Sequence, residues 1–256
     1  MTASQTLNIA LVGNPNSGKS TLFNSLTGLN QKVGNFPGVT VDKKTGKVEL
    51  DHVTTANIID LPGTYSLYPR RSDEWVAYKV LMQADEDVKA DIILLVADAS
   101  NLKRNLLFCS QIIDLKVPVV VALSMNDLAA KKGIKIDIAG LEAELGIPVI
   151  EVNPRKSKGL LQLKKILLLT AKQKQKSNRD FIDNKKISEP SVQALQKLLP
   201  TLNDYTAVHY LINHENFPLS SSTHQAIEKI KVETKKKKKK TQAEEVLQRY
   251  QRIRNI

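Results

Sequence analysis

The octet GNPNSGKS at residues 13–20 places Gly13, Gly18, Lys19 and Ser20 in the fixed positions of a G-x-x-x-x-G-K-[ST] loop. Residues of these types at this spacing do one kind of chemistry: they hold phosphate. The backbone of Gly13, Asn14, Pro15, Asn16, Ser17 and Gly18, with the helix start at Lys19, Ser20 and Thr21, offers a concave row of N–H groups, all but the proline donating. Lys19 would reach the β- and γ-phosphates, and Ser20 would hold Mg²⁺. A second group follows in IIDLPG, where Asp60 ends an apolar run and can bind the metal through water, while the Gly63 N–H can meet a γ-phosphate. Between the two lies NFPGVTVDKKTGK at 35–47. Its Gly38, Val39 and Thr40 form a segment whose hydroxyl can close over Mg²⁺ with a γ-phosphate present and loosen without one. Alone, each piece is a common turn; in this order and spacing they form one set.

These residues need a scaffold that brings distant loops together. LNIALV before the octet has strand length and hydrophobicity, and TLFNSLTG after it sets Leu22, Phe23 and Leu26 at helical spacing. Six segments read as strands: 7–13, 46–52, 56–60, 91–98, 117–124 and 147–153. Most are continuous Val/Ile/Leu runs, as in strands covered on both faces, while 46–52 alternates and suits an edge. Helical patterns separate them. The alternation predicts an α/β fold, a mostly parallel six-stranded sheet with helices on both faces; together with the phosphate loop it resembles the Ras-like (TRAFAC) class of P-loop NTPases. After residue 171 no strand is expected. The runs 188–199 (Ser188 starting it), 205–213, 223–233 and 242–253 read as helices, so the chain divides into a nucleotide domain at 1–171 and a small all-helical subdomain at 172–256.

Charge follows the same division. Of the net +12, residues 1–171 carry 20 Lys and Arg against 17 Asp and Glu, and residues 172–256 carry 18 against 9. The Lys235 to Lys240 run reads as a solvated linker or exposed helix face; beside a membrane each lysine would gain about 1 kcal/mol from an anionic leaflet. A lone cysteine, Cys109, excludes an internal disulfide and a thiolate cluster, and its helical setting favours packing. His52, His209, His214 and His224 are scattered along the chain. No apolar run reaches the roughly 18–20 residues of a membrane span, so the chain reads as soluble.

GNPNSGKSTLFNSLTG, then VGNFPGVTVDKKTGK, then DLPGTYSL, in this order, resemble the N-terminal cytosolic region of the prokaryotic ferrous-iron transport protein B (FeoB) family over about residues 7–171. The resemblance implies GTP as substrate and GDP as product, with the chain's own membrane permease domain downstream. It also implies a place on the cytoplasmic face of the bacterial inner membrane, small accessory proteins of the iron system as partners, and a homo-oligomer as an option. Where Ras-like proteins carry a water-orienting Gln, this chain has Thr64, and no switch-loop arginine is placed as a finger in cis. In potassium-dependent relatives an Asn matching Asn16 helps coordinate K⁺, with carbonyls around Gly34 and Phe36 completing the shell; such an ion would neutralise charge on the bridging oxygen.

Base recognition departs from the family pattern. Guanine readers use N-[KQM]-x-D, and here Ser124-Met125-Asn126-Asp127 keeps the aspartate but puts serine in place of the asparagine. The second base loop has Asn153 and Pro154 where a backbone donor would meet guanine O6, which leaves Asn153 or Arg155 to donate. Two rival readings stay open: an unspecific ATP- and GTP-hydrolysing enzyme on the same scaffold, and a stand-alone ribosome- or tRNA-associated GTPase favoured by the basic tail. Against the second, the tail lacks an aromatic-rich recognition strand, and no nucleic acid partner is expected.

Overall fold

A computed structural model describes residues 5–28, 31–36, 40–84, 89–174, 176–177, 179–187, 189–234 and 238–256. Among these, the strands β1 (Gln5–Gly13), β2 (Gln31–Asn35), β3 (Asp42–Glu49), β4 (Thr54–Asp60), β5 (Ile92–Asp98), β6 (Val119–Ser124) and β7 (Val149–Glu151) form one sheet. Their order is β2-β3-β4-β1-β5-β6-β7. The pairs β4–β1, β1–β5, β5–β6 and β6–β7 are parallel, and the pairs β2–β3 and β3–β4 antiparallel.

The sheet has seven strands where the sequence suggests six. The extra one, β2, reads QKVGN with four of its five residues exposed, so it has no apolar period to betray it. It exists because β3 begins at Asp42, earlier than expected, and exposes an edge that β2 covers. The run around 46–52 is therefore an inner strand.

The parallel strands are buried on both faces. Every residue of β5 except Asp98 is buried, as is all of β6. Helices α1 (Lys19–Thr27) and α6 (Leu160–Gln173) close one face over Ile9, Leu11, Ile58 and Leu94. On the other, α2 (Ser72–Leu81), α3 (Leu102–Asp114) and α5 (Ile138–Leu145) pack over Ala10, Val12, Leu95 and Val121; α4 (Asn126–Lys131) follows β6. Cys109 is buried in α3, and burial pushes its thiol up to about 12, so it serves packing.

Beyond α6 the described residues are helical: α7 (Asn184–Ile187), α8 (Glu189–Leu198), α9 (Asp204–Asn213), α10 (Ser221–Glu233) and α11 (Lys238–Ile253). Ser188, expected to start α8, lies outside the described residues, as do Lys235, Lys236 and Lys237 of the lysine run. Val192, Leu195, Val208, Ile212 and Ile227 make a second core. Helix α11 returns to α3 through a buried ionic cluster. Arg249 pairs with Asp114 at 2.9 Å and with Glu245, and its Nη1 donates to the Ser110 carbonyl at 2.8 Å. Asp114 also accepts from the Phe181 N–H at 2.6 Å and from Asn184 Nδ2 at 2.8 Å. Each charge in this cluster has several partners, which is what makes a buried ion pair tolerable. Among the described residues no helix is long and apolar enough to cross a membrane.

Candidate functional site

The strand order reverses at β1, with β4 on one side and β5 on the other, and the loop leaving β1 opens at that switch point. Gly13 ends β1 so close to β5 that a Cβ would stand 2.6 Å from the Val96 carbonyl oxygen, and no larger residue fits. Gly18 precedes α1 at φ 91°, a left-handed conformation that glycine adopts at no steric cost. Asn16 is also left-handed, at φ 65°. Inside the loop, Asn14 Oδ1 and Nδ2 and Ser17 Oγ are buried without a hydrogen-bond partner among the described residues. Buried polar groups are ordinarily paired, so three unpaired atoms in one loop mark a site built for an incoming polar ligand.

A concavity of about 500 Å³ is lined by Asn14, Lys19, Gly63, Arg71, Asp73 and Met125 among others. It adjoins a second, of about 390 Å³, lined by Thr40, Asp42, Asp60 and Pro62; Lys19 and Asp73 belong to both. Lys19 Nζ is paired with Asp60, the two side chains only 12% and 10% exposed. The turn after β4 is clamped to β1 on either side of Pro62–Gly63: the Leu61 N–H donates to the Leu11 carbonyl at 3.1 Å and the Thr64 N–H to that of Gly13 at 3.2 Å. This presses Gly63 against Pro15, whose backbone N would be 3.2 Å from a Cβ there.

The expected oxygen donors for Mg²⁺ thus share one neighbourhood. Asp60 and Thr40 line one concavity and Ser20 the adjoining one, with Lys19 common to both. A carboxylate and two hydroxyls are the hard ligands such an ion takes. Gly38 and Val39 lie outside the described residues. Of the three residues expected around K⁺, Asn16 lines the larger concavity, Gly34 is paired with Lys43 between β2 and β3, and Phe36 is buried with its N–H on the Val41 carbonyl.

The base end is organised differently. Ser124 is buried, and its hydroxyl lies 2.5 Å from the Ser17 carbonyl and 3.1 Å from that of Ala97, so it ties the end of β6 to the phosphate loop. Asn126 Nδ2 donates to the Leu123 carbonyl at 2.7 Å. Met125 takes a left-handed conformation (φ 58°) and lines the larger concavity; Asp127 is exposed in the first turn of α4, its carboxylate accepting the Leu128 N–H at 3.0 Å. Pro154 and Arg155 sit in a 3₁₀ turn after Asn153, which bridges to Lys158; the Pro154 carbonyl accepts from Ser25 Oγ at 3.3 Å, joining this loop to α1.

Two residues of the larger concavity escaped the sequence reading: Arg71 and Asp73. Their signal was the charged run RRSDE, which begins seven residues past Gly63 and straddles the start of α2. A further pairing that spacing hid lies in the tail. His214 and His224 stand Nδ1 to Nδ1 at 3.0 Å, with Glu228 2.7 Å from His214 Nε2.

Known proteins were compared with this geometry. The family model described as Ferrous iron transport protein B matches residues 7–167. The chain belongs to the ferrous iron transport protein B family. Among its FeoB relatives, the Fe(2+) transporter FeoB of Leptospira biflexa serovar Patoc is 49% identical over 160 residues, 62% of this chain and 23% of that protein. That of Escherichia coli K12 is 47% identical over 163 residues, again 62% of this chain and 20% of the other. The matched region therefore spans a fifth to a quarter of the curated relatives' length. Solved FeoB structures extend the likeness into the tail. The GDP-bound A143S mutant of the S. thermophilus FeoB G-domain superposes with a TM-score of 0.80 at 33% identity, covering 97% of both chains. The cytosolic domain of L. pneumophila FeoB gives 0.77 at 33% identity, covering 97% of this chain and 96% of that one.

Proposed function

We propose that this chain binds guanine nucleotide and hydrolyses GTP with Mg²⁺, as the cytosolic region of a ferrous-iron transporter, in two units at 1–171 and 172–256. The observation that carries the reading is the meeting of Lys19, Asp60, Thr40 and Gly63 around the phosphate loop. The GDP-bound state of the S. thermophilus relative supports the choice of nucleotide.

On this reading Lys19 and Asp60 exchange each other for better partners: the ammonium turns to the β- and γ-phosphates, and the carboxylate, with Ser20 and Thr40, holds Mg²⁺. The ion, when bound, neutralises charge on the phosphate oxygens. Gly63, held by the clamps on either side, offers its N–H to the γ-phosphate, and Thr40 joins only when that phosphate is present. Asn16 would hold K⁺ with the Gly34 and Phe36 carbonyls, and the ion would neutralise charge on the bridging oxygen. At the base end Met125 packs on the purine, Asp127 accepts from its N1–H and 2-amino group, and Asn153 or Arg155 donates to O6. Hydrolysis regulates or drives Fe²⁺ passage through a membrane portion, on the cytoplasmic face of the inner membrane. Accessory proteins of the iron system and further copies of the chain are the candidate partners.

Phosphate release from GTP, measured with wild type, Thr40→Ala and Asn16→Ala in K⁺ and in Na⁺, tests this. Wild type should release phosphate, faster in K⁺. Thr40→Ala should weaken binding of a non-hydrolysable GTP analogue more than of GDP, and Asn16→Ala should erase the cation preference. No phosphate release from wild type would end the reading; equal effects of Thr40→Ala on both nucleotides would remove Thr40 from the switch. A second reading, a broad NTPase that also turns over ATP, is favoured by Ser124 and Pro154.

A further inference from the structure

The segment between Gly63 and α2 carries a side chain with the chemistry that the phosphate loop lacks. Arg71 is the residue just before α2, and its backbone is pinned there. The Glu74 carboxylate accepts the N–H groups of Arg70 at 2.7 Å and Arg71 at 3.3 Å, and the Arg71 carbonyl accepts from the Trp75 N–H at 3.3 Å. The Arg71 side chain is 71% exposed, and among the described residues its guanidinium is held by Asp73, in a forked contact with both carboxylate oxygens, Nε to Oδ1 at 3.0 Å and Nη2 to Oδ2. Both residues line the concavity that contains Lys19 and Gly63, and Asp73 also lines the one around Asp60 and Thr40.

We propose that Arg71 is a catalytic arginine supplied in cis, latched to Asp73 and released to the γ-phosphate. The proposal rests on the hydrolase reading above and names a residue that reading does not use. An exposed ion pair contributes little stability and opens at little cost, and a guanidinium fits a phosphoryl group with the same fork it presents to a carboxylate. In the step it would serve, a water oxygen bonds to the γ-phosphorus as the bond from that phosphorus to the β–γ bridging oxygen breaks. The electron pair stays on the diphosphate, and the water proton passes to a phosphate oxygen, giving GDP and inorganic phosphate. Charge grows on the bridging oxygen and the γ-oxygens, where an arginine donates its hydrogen bonds. Thr64 occupies the place after Gly63 and directs its hydroxyl to the Ser66 carbonyl at 2.9 Å, and Arg71 is the cationic side chain of this segment that lines the concavity with Lys19 and Gly63.

The test uses the whole chain with Arg71→Ala, Arg71→Lys and Asp73→Asn. It reads phosphate release at saturating GTP, GDP affinity, and capture of fluorescent GDP by aluminium fluoride with Mg²⁺, a mimic of the transferring phosphoryl group. Arg71→Ala should lower kcat at least tenfold, leave GDP affinity within about threefold, and abolish the aluminium fluoride complex; Arg71→Lys should restore little of either. Asp73→Asn, which opens the latch, should raise kcat and strengthen the complex. Wild type that turns over GTP while Arg71→Ala keeps its kcat within twofold overturns the proposal and leaves the hydrolase reading standing. A fall in Asp73→Asn equal to that in Arg71→Ala overturns the latch. Wild type with no turnover sinks both readings.

Discussion

Two ionic groups of this molecule, one fully buried and one part-buried, are built by opposite rules. Where the tail meets α3, Arg249 and Glu245 of α11 and Asp114 of α3 are fully buried, and Ser110, Phe181 and Asn184 supply further hydrogen bonds until each charge has several. At the phosphate loop, Lys19 and Asp60 at the end of β4 have each other, 12% and 10% exposed, beside polar atoms of Asn14 and Ser17 that have no partner among the described residues. A fully satisfied cluster has no reason to change partners. A thinly satisfied one gains by taking a ligand, because every buried group left unpaired costs stability until something meets it. The difference separates what holds the chain together from what the chain uses.

Removing the arginine and removing the lysine should therefore fail differently. Arg249→Ala strands two carboxylates in the interior and should cost about 3–5 kcal/mol of stability, read as a lower urea midpoint, while the folded fraction keeps its nucleotide affinity. Lys19→Ala should lower turnover about 10²–10³-fold, the scale of losing one group aimed at transition-state charge, with a smaller loss of stability because Asp60 retains access to water. Asp60→Ala should behave like Lys19→Ala. If Lys19→Ala unfolds as readily as Arg249→Ala, or if folded Arg249→Ala loses as much turnover, the contrast is wrong.

The two regions also differ in how far the sequence discloses them. Phosphate chemistry needs fixed residue types at short, fixed separations, so Gly13 to Ser20, Asp60 and Gly63 can be read off the chain, and continuous apolar runs announce β5 and β6. The tail's helices are legible from their periodicity, but their partnerships are not. Nothing in the spacing of Asp114 and Arg249 says that they meet, since the turns between them decide it. Strand β2 was hidden because edge strands are defined by the backbone they cover and not by their own hydrophobicity. Arg71 was hidden because a charged run at a helix start is usually solvated, and only the fold shows that this one lines the concavity of Lys19 and Gly63.

Between the two extremes stands the base end, where a structural tie and a recognition loop share residues. Ser124 joins the end of β6 to the Ser17 carbonyl, so the serine that replaces the pattern asparagine still fastens the phosphate loop. What it lacks is an amide reaching further toward the base. With Pro154 unable to donate, we expect GTP to be preferred over ATP by roughly 10- to 100-fold in kcat/KM, well below the 10⁴ or more of a complete hydrogen-bonding site. Ser124→Ala should weaken both nucleotides alike by cutting the tie, and Ser124→Asn should raise the preference for GTP. Competition with both nucleotides gives the numbers; exclusion of ATP by several thousand-fold would show that the two departures do not affect selectivity.

The smallest effect sharpens the tail side of the contrast, where even a titratable ring is treated as core. His209 is fully buried among Tyr68, Tyr78 and Tyr205, with Nδ1 3.3 Å from the Tyr78 hydroxyl; burial, aided by the nearby Arg249 charge, lowers its pKa to about 3 from an ordinary 6.5. The folded protein therefore refuses a proton that the unfolded chain accepts. Between pH 6.5 and 3 the unfolded state binds more protons, so stability falls as the pH drops through that window, approaching about 1.4 kcal/mol per pH unit well below 6.5 from this ring alone. Above pH 6.5 the ring contributes no slope. His209→Phe keeps the aromatic packing, and Asn213 still donates to the Tyr78 hydroxyl at 3.2 Å. In urea titrations at pH 7, 6 and 5, the unfolding free energy of wild type minus that of the variant should fall on the acid side, since the variant loses less. The range from 7 to 5 is chosen because most carboxylates stay ionised across it, and groups common to both proteins cancel in the difference. Parallel curves would mean that His209 takes up its proton in the folded state, and that the tail's interior is less closed to charge than its ionic cluster implies.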